Sequence, residues 1–487
     1  MRPSRPLFLG TSGLLITLAL FSTAASPADK IPITTISKEA LAQFVDGRAL
    51  VDNLRLTDAI PYFQKAVEKD AGFALAHLYL AQSAPTAKVF FAELNKADET
   101  SGHASRGEQL WIRAFKAGSY ADPSTAQKLY QELVDAFPDD ERAQTLLGTS
   151  YFGQQDYAQA LEHLKRATEI SPDFAPAYNQ LGYAYRFLNQ YQDAEKTFKR
   201  YTELLPTDPN PFDSYAELLL KMGRFDESIA QYEKALAVDS KFANSYAGIA
   251  ACLMYQNRHD AALAELQKAY DIARNDGEKR AALFSRGVVY QDEGKPDLAL
   301  KEIEKEHTIA ETTNDQASMS ADIALMANIL LHEGKADEAL ARFRTSLSLI
   351  EKSTLAKEVK ENAALIHHYN VARVFLAKGD LAAAKSETEK FRRGEEARKN
   401  KFQIRLGHEL SGIAAFHQKD FDGAVKELKQ ANQQDPNILY HLALAFQGSG
   451  KADEAKEYAA RAAKYNVLPF MNYAYVRMKA EKLLSAL

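Results

Sequence analysis

The chain has 487 residues, of which 46% are hydrophobic and 26% charged, with a formal net charge of −5. It is too apolar to stay disordered, and its acidic balance argues against nucleic acid as a partner. Its one cysteine, Cys252, rules out an intrachain disulfide and leaves no lipid-bearing cysteine near the N-terminus.

Residues 1–28 read as a secretory signal peptide. Arg2 and Arg5 precede an apolar run from Leu7 to Phe21, and small residues follow from Ser22 to Ala28, the charged, apolar and small-residue order of an export signal. The run is about 15 residues, short for a membrane span. Cleavage is expected between Ala24 and Asp29, with an uncleaved anchor as the alternative. The mature chain then carries 58 basic against 65 acidic residues and makes no stable membrane insertion. An exported chain with no disulfide and no Asn-x-Ser/Thr sequon fits a bacterial periplasmic or secreted protein. Residues 29–39 form a short linker, in which only Ile31–Ser37 reads as extended.

Helical repeats are expected from there on. Residues 40–106 hold N-terminal, partly irregular units: one around Gly47, Ala59, Phe63 and Ala66 is clear, whereas Pro85 interrupts Ala74–Gly102. Residues 107–276 are regular. A small residue recurs every 34 positions at Ala126, Ala160, Ala194, Ser228 and Ala262. Small partners at Gly148, Gly182, Ala216, Ala250, Gly287 and Ala327 let a first helix approach a second closely. Gly223, Gly294, Gly334, Gly379 and Gly450, with Asn189 and Asn257, mark turns needing a left-handed backbone. Acidic pairs such as Asp226-Glu227, Asp337-Glu338 and Asp453-Glu454 are expected to cap second helices. Pro138, Pro172, Pro206 and Pro436 are expected to stop them. Over residues 277–469 the marker moves to Ala299, Ala339, Ala384, Ala424 and Ala455. The wider spacing predicts longer helices or loops, for example at Glu351–Asn362. Residues 470–487 read as one helix capping the exposed end.

A fixed period of this length signals a solenoid. The unit Leu147-Gly148, Tyr151, Tyr157, Ala160, Leu164, Ala167, Pro172, repeated as Leu181-Gly182, Tyr185, Tyr191, Ala194, Phe198, Tyr201, Pro206, resembles the tetratricopeptide repeat. The resemblance implies an all-α, right-handed superhelical solenoid of about twelve helix-turn-helix repeats, each a helix A and a helix B. It also implies a concave face lined by helix A. Carried onto this sequence, the family's inner positions place Arg142, Thr145, Thr149, Asn179, Tyr183, Arg186, Asp213 and Glu217 there as candidate partner-binding residues. Tyr369, Arg373 and Glu409 fall further along the same row.

Motifs for chemistry fail on inspection. Gly448-Ser449-Gly450-Lys451 lacks the hydroxyl residue after the lysine of a phosphate-binding loop, and Gly294-Lys295 and Gly334-Lys335 recur at the same turn. His408-Glu409 lacks the second histidine of a zinc-protease helix, because position 412 is Gly. His77, His368 and His408 share one packing position on their A helices. A metal site using His367, His368, His408 or His417 is the alternative reading. The expectation is a non-enzymatic scaffold with no cofactor and no metal, binding a protein or peptide on its concave face. A small ligand, lipid or glycan in the same groove is the alternative, and an enzyme the second alternative.

Overall fold

The computed structural model describes residues 30–487. The expected signal peptide, residues 1–28, lies outside the described residues. Twelve helical hairpins follow one another without a strand among the described residues. The first six are α1 (Lys38–Asp52) with α2 (Leu56–Lys69), α3 (Ala74–Gln82) with α4 (Ala87–Thr100), α5 (Arg106–Ser119) with α6 (Pro123–Ala136), α7 (Glu141–Gly153) with α8 (Tyr157–Ile170), α9 (Ala175–Phe187) with α10 (Tyr191–Leu204), and α11 (Pro209–Lys221) with α12 (Phe225–Val238). The second six are α13 (Ala243–Tyr255) with α14 (His259–Asp271), α15 (Asp276–Asp292) with α16 (Pro296–Thr312), α17 (Gln316–His332) with α18 (Ala336–Lys352), α19 (Lys357–Ala377) with α20 (Leu381–Arg398), α21 (Lys401–His417) with α22 (Phe421–Leu428), and α23 (Pro436–Gly448) with α24 (Ala452–Ala463). Two short helices, α25 (Met471–Ala474) and α26 (Arg477–Ala486), close the chain.

The small residues set the crossing of each pair. A Cβ on Gly182 would stand 2.6 Å from the Phe198 ring, and one on Gly148 2.9 Å from Leu164 Cγ, so only glycine admits these close approaches. Facing them, Ala160, Ala194, Ala262 and Ala299 are fully buried. Ser228 takes the alanine position by donating its hydroxyl to Ala216 O at 2.7 Å. Cys252 packs beside it, and burial pushes its thiol up to about 12. Gly223, Gly294, Gly334, Gly379 and Gly450 have φ between +74° and +78°, and Asn189 and Asn257 have φ of +59° and +58°. Each sits in the turn between helix A and helix B.

Two local expectations change. The acidic pairs do not cap: α12 begins after Arg224, whose side chain makes no cap, and Asp226 and Glu227 lie inside its first turn. There they favour the helix dipole only. True caps come two residues before the first acid of the pair in the unit, as where Asp156 accepts from Gln159 N. Pro436 does not stop α22, which ends at Leu428, but occupies the first turn of α23, where its missing N–H costs nothing. Pro85 lies in a turn that shortens α3 to nine residues. Every residue of α3 from Ala74 to Ala81 is buried, wedged among Phe44, Phe63, Phe73 and Trp111. The wide spacing after Ala262 comes from longer helices: α15 to α18 have 17 residues each and α19 has 21, against 13 in α7 and α9.

The stack curves with helix A inside. Successive A helices touch (α7 with α9, α11 with α13, α19 with α21), and successive B helices make no contact of that extent. After seven hairpins the superhelix returns over its own start. Arg274 Nη1 reaches Asp58 Oδ1 at 2.8 Å, and Thr57 Oγ1 reaches Glu278 Oε1 at 3.0 Å. Further along, N-cap residues of the second turn also bond the turns of the first. Asp315 Oδ2 accepts from Lys88 N at 3.2 Å, and Asn400 Nδ2 donates to Ala121 O at 3.4 Å. Gln155 Nε2 to Asn432 Oδ1 at 2.9 Å continues the seam.

The extended lead is strapped to the starts of two A helices, α7 and α5, and to the end of the B helix α2. Ile31 N donates to Asp140 Oδ2 at 2.8 Å, Thr34 N to Glu108 Oε1 at 2.8 Å, and Thr35 Oγ1 to Asp70 Oδ2 at 2.5 Å. The C-terminal stretch does more than cap. α26 packs on α24, but residues 465–477 turn into the superhelix and lie against the inner ends of α11, α13, α15 and α17. Tyr473, Tyr475 and Val476 share one apolar cluster with Met254, Val288 and Met326.

Candidate binding face

Helix A presents the same register positions to the inside of the curve in each repeat, so residues 34 apart become neighbours. The structure brings some of the candidate residues together and separates others. Tyr183 and Glu217 meet: the Tyr183 hydroxyl donates to Glu217 Oε1 at 2.9 Å. Arg186 Nη1 donates to the other Glu217 oxygen at 3.0 Å, and its guanidinium lies 5.5 Å from the Tyr183 ring centroid. These three form one hydrogen-bonded set. Asn179 is buried and donates to Ser214 Oγ at 3.3 Å, not to Asp213. Asp213 instead accepts from Ser245 Oγ at 2.7 Å. Burial, then the nearby Glu217, pushes its carboxyl up to about 8.

The first helix of the row behaves differently. Arg142 makes a bidentate pair with Asp52, both bonds 2.8 Å, and covers the Phe174 ring at 5.1 Å. Thr145 bonds back to Glu141 O at 2.8 Å. Thr149 is exposed. Most polar groups of residues 142–217 are therefore already paired with one another. The part open to an incoming group is the α7 end, around Thr149 and the half-buried Arg142.

Further along, the row is closed by the chain itself. Lys221 Nζ donates to Tyr465 O at 2.6 Å, and Tyr255 OH donates to Val467 O at 2.5 Å. Arg477 pairs with Asp292 through two 2.6 Å bonds, and His332 stacks on Tyr475 with ring centroids 3.7 Å apart. Arg373 and Tyr369 meet Asn328 and Glu409 at 2.7 and 3.0 Å. Lys221, Asp292 and the occupying segment were not singled out from sequence. The signal was there in Tyr465, Phe470, Met471, Tyr473, Tyr475 and Val476, too many large apolar groups for a solvated cap.

The histidines resolve individually. His77, His368 and His408 each place Nδ1 on a glutamate of their own hairpin, Glu93, Glu387 and Glu427, at 2.7, 2.6 and 2.8 Å. Among the described residues no group of three or more His, Cys, Asp or Glu is arranged to hold a metal ion. No described helix is long and apolar enough to cross a membrane.

A curved stack of A/B hairpins with small residues at the crossings and a left-handed residue, most often glycine or asparagine, at the turns defines a helical-repeat solenoid, the architecture of protein-interaction scaffolds. Tetratricopeptide-repeat family models match residues 151–218, and also residues 45–85, 114–175 and 216–277. Over these residues the chain carries tetratricopeptide repeats. No curated protein matches it. Among solved structures it is similar to MamA, at 22% identity over 34% of this chain and 91% of that one, with a TM-score of 0.29. A tetratricopeptide-repeat protein from Parabacteroides merdae is 19% identical over 54% of this chain and 99% of that one, with a TM-score of 0.35. YrrB, described as a TPR protein with an unusual peptide-binding site, is 17% identical over 37% of this chain and 91% of that one, with a TM-score of 0.25.

Proposed function

We propose that the chain is a non-enzymatic scaffold that holds an extended segment of a protein partner on the inner face of its first five hairpins. We place it, exported, in the bacterial envelope. One observation carries the reading. The inner face from α11 onward already binds a non-repeat polypeptide, the chain's own residues 465–477, through side-chain donors to the carbonyls of Tyr465 and Val467 and through aromatic contacts. The same helix A register continues back to α7, where Thr149 is exposed, two helical turns from Arg142. Carbonyl-directed donors and flat aromatic surfaces recognise backbone with little demand on sequence, and Tyr and Arg are frequent binding hot spots.

A photo-crosslinking residue at Thr149, compared with one at Lys335 on a turn at the outer rim, tests this in the native host. The expected result is a defined protein adduct from position 149 and none from position 335. Equal adducts, or an adduct from 335 alone, overturn the inner-face reading.

A further inference from the structure

A cavity of about 180 Å³ lies where the first superhelical turn meets the C-terminal hairpin. Its walls come from four places: the ends of α9 and α11, the loop before α23, the end of α24, and the segment leading to α25. Four cations line it, Arg186, Lys221, Arg461 and Lys464, and no carboxylate does. Amide and hydroxyl groups complete it, among them Asn189, Gln434 and Tyr191.

The charges are poorly answered. Arg186 has Glu217 at 3.0 Å, and Arg461 has Glu457 at 3.6 Å on the exposed side of α24. Lys221 and Lys464 form no ion pair among the described residues. The Lys221 amine donates to Tyr465 O at 2.6 Å and stands 4.0 Å from the Tyr465 ring centroid. These contacts position the amine but do not neutralise it. Burial, with Arg186 and then Arg461 nearby, pulls Lys221 down to about 7. In a chain of net charge −5, four cations lining one partly open cavity without a carboxylate run against the acidic balance.

We propose that this cavity binds a compact oxyanion carrying at least two negative charges, a phosphoryl group or a small polycarboxylate, bridging Arg186 and Lys221 on the first turn to Arg461 and Lys464 on the C-terminal hairpin. The space holds on the order of ten waters, which suits an anion of the size of phosphate, pyrophosphate or citrate. Guanidinium and ammonium donors are matched to both oxyanion types. Binding replaces repulsion among like charges with attraction and fastens residues 464–467 to α9 and α11. It also returns Lys221 to its charged form.

The test is calorimetric titration of the full mature chain at pH 7 with pyrophosphate and with citrate, against chloride at equal ionic strength. Binding by either anion at micromolar concentrations is expected, with a proton taken up by Lys221, which burial pulls down toward neutral pH, in addition to any proton the anion itself exchanges. The proton shows as a dependence of the observed heat on the buffer's ionisation enthalpy. Preference for pyrophosphate assigns a phosphoryl ligand, and preference for citrate assigns a polycarboxylate. Lys221→Met is expected to reduce the proton exchange to that of the anion alone and weaken binding at least tenfold. Lys464→Ser, at an exposed position, weakens it without disturbing the fold as read by circular dichroism, and Lys335→Ser leaves it unchanged. Binding no tighter than chloride for both anions overturns the proposal. So does wild-type affinity and proton uptake in both Lys221→Met and Lys464→Ser.

Discussion

Arg477 and Asp292, 185 residues apart, form a doubly hydrogen-bonded ion pair with both bonds 2.6 Å and side chains only 2% and 1% exposed. Asp292 ends α15 on the inner side of the eighth hairpin, and Arg477 begins α26. Asn257 Oδ1 accepts a third bond from the same guanidinium at 3.0 Å, and His259 Nε2 sits 2.9 Å from Asp292. A buried pair of this kind contributes little net stability against an apolar replacement, but breaking it strands a charge. Its role is to fix where the C-terminal segment enters the superhelix.

Asp292→Ala is therefore expected to cost about 3 kcal/mol locally, since the buried Arg477 keeps only the exposed Glu481 at 3.1 Å as a carboxylate partner. The loss concentrates in residues 465–487, because a repeat array opens in parts. Hydrogen exchange should show those residues and the inner ends of α13 and α15 losing protection while α1–α8 keep theirs. Uniform loss over the whole chain would contradict it.

Ala194→Leu tests the crossing of α9 and α10. Ala194 is fully buried, and the extra atoms overpack a contact already tight at Gly182, at about 1–3 kcal/mol. The neighbouring Glu195 is not an inert comparison. It accepts from Tyr215 OH at 2.8 Å and pairs with Lys199 at 2.9 Å. Lys196, exposed and without an ion pair among the described residues, serves instead. Lys196→Gln is expected to stay within about 0.5 kcal/mol of wild type. Equal shifts in thermal unfolding from Ala194→Leu and Lys196→Gln would show the helix register to be wrong.

Much of this was legible in the sequence. The 34-residue period located every hairpin of the regular region, because one repeat packs only on its neighbours and local spacing carries the packing. Glycine and asparagine located seven of the turns, because a left-handed backbone restricts residue choice, whereas Leu54, Ala121, Gln155 and Lys419 adopt the same backbone at four turns that composition did not mark. What stayed hidden is long-range. No local rule says that Thr57 meets Glu278, or that an N-cap such as Asp315 also receives Lys88. Nor does spacing say which polar groups on an inner face are spent on each other. Tyr183, Arg186 and Glu217 looked free because core positions were already filled, yet they satisfy one another.

The mature N-terminus is open to direct measurement. The charged, apolar and small-residue order of residues 2–28 leads us to expect exported protein beginning between Ala24 and Asp29. N-terminal sequencing of protein from the periplasm or medium decides it. A start at Met1, or recovery only with membranes, would reject a cleaved signal.

Asp213 makes stability depend on pH in a definite direction. Its carboxyl stands at about 8 in the folded chain against 3.8 as the reference value. Between those values the folded state holds a proton that the unfolded state has lost, so stability falls as pH rises through that window. The neutral acid suits its place: it meets Ser245 at 2.7 Å, has no cation paired with it, and lies near Glu217. Lowering pH from about 8 to about 5 should therefore raise the denaturant midpoint for the segment around α11 and α13. Glu306, also pushed up to about 8 by burial and then by Asp322, adds to the trend in the later hairpins. Asp213→Asn retains an acceptor for Ser245 and cannot ionise. The variant should be more stable than wild type at pH 8, close to it at pH 5, and flatter between. A wild-type slope of the opposite sign around α11, or one unchanged in the variant, would mean that Asp213 is ionised in the folded chain.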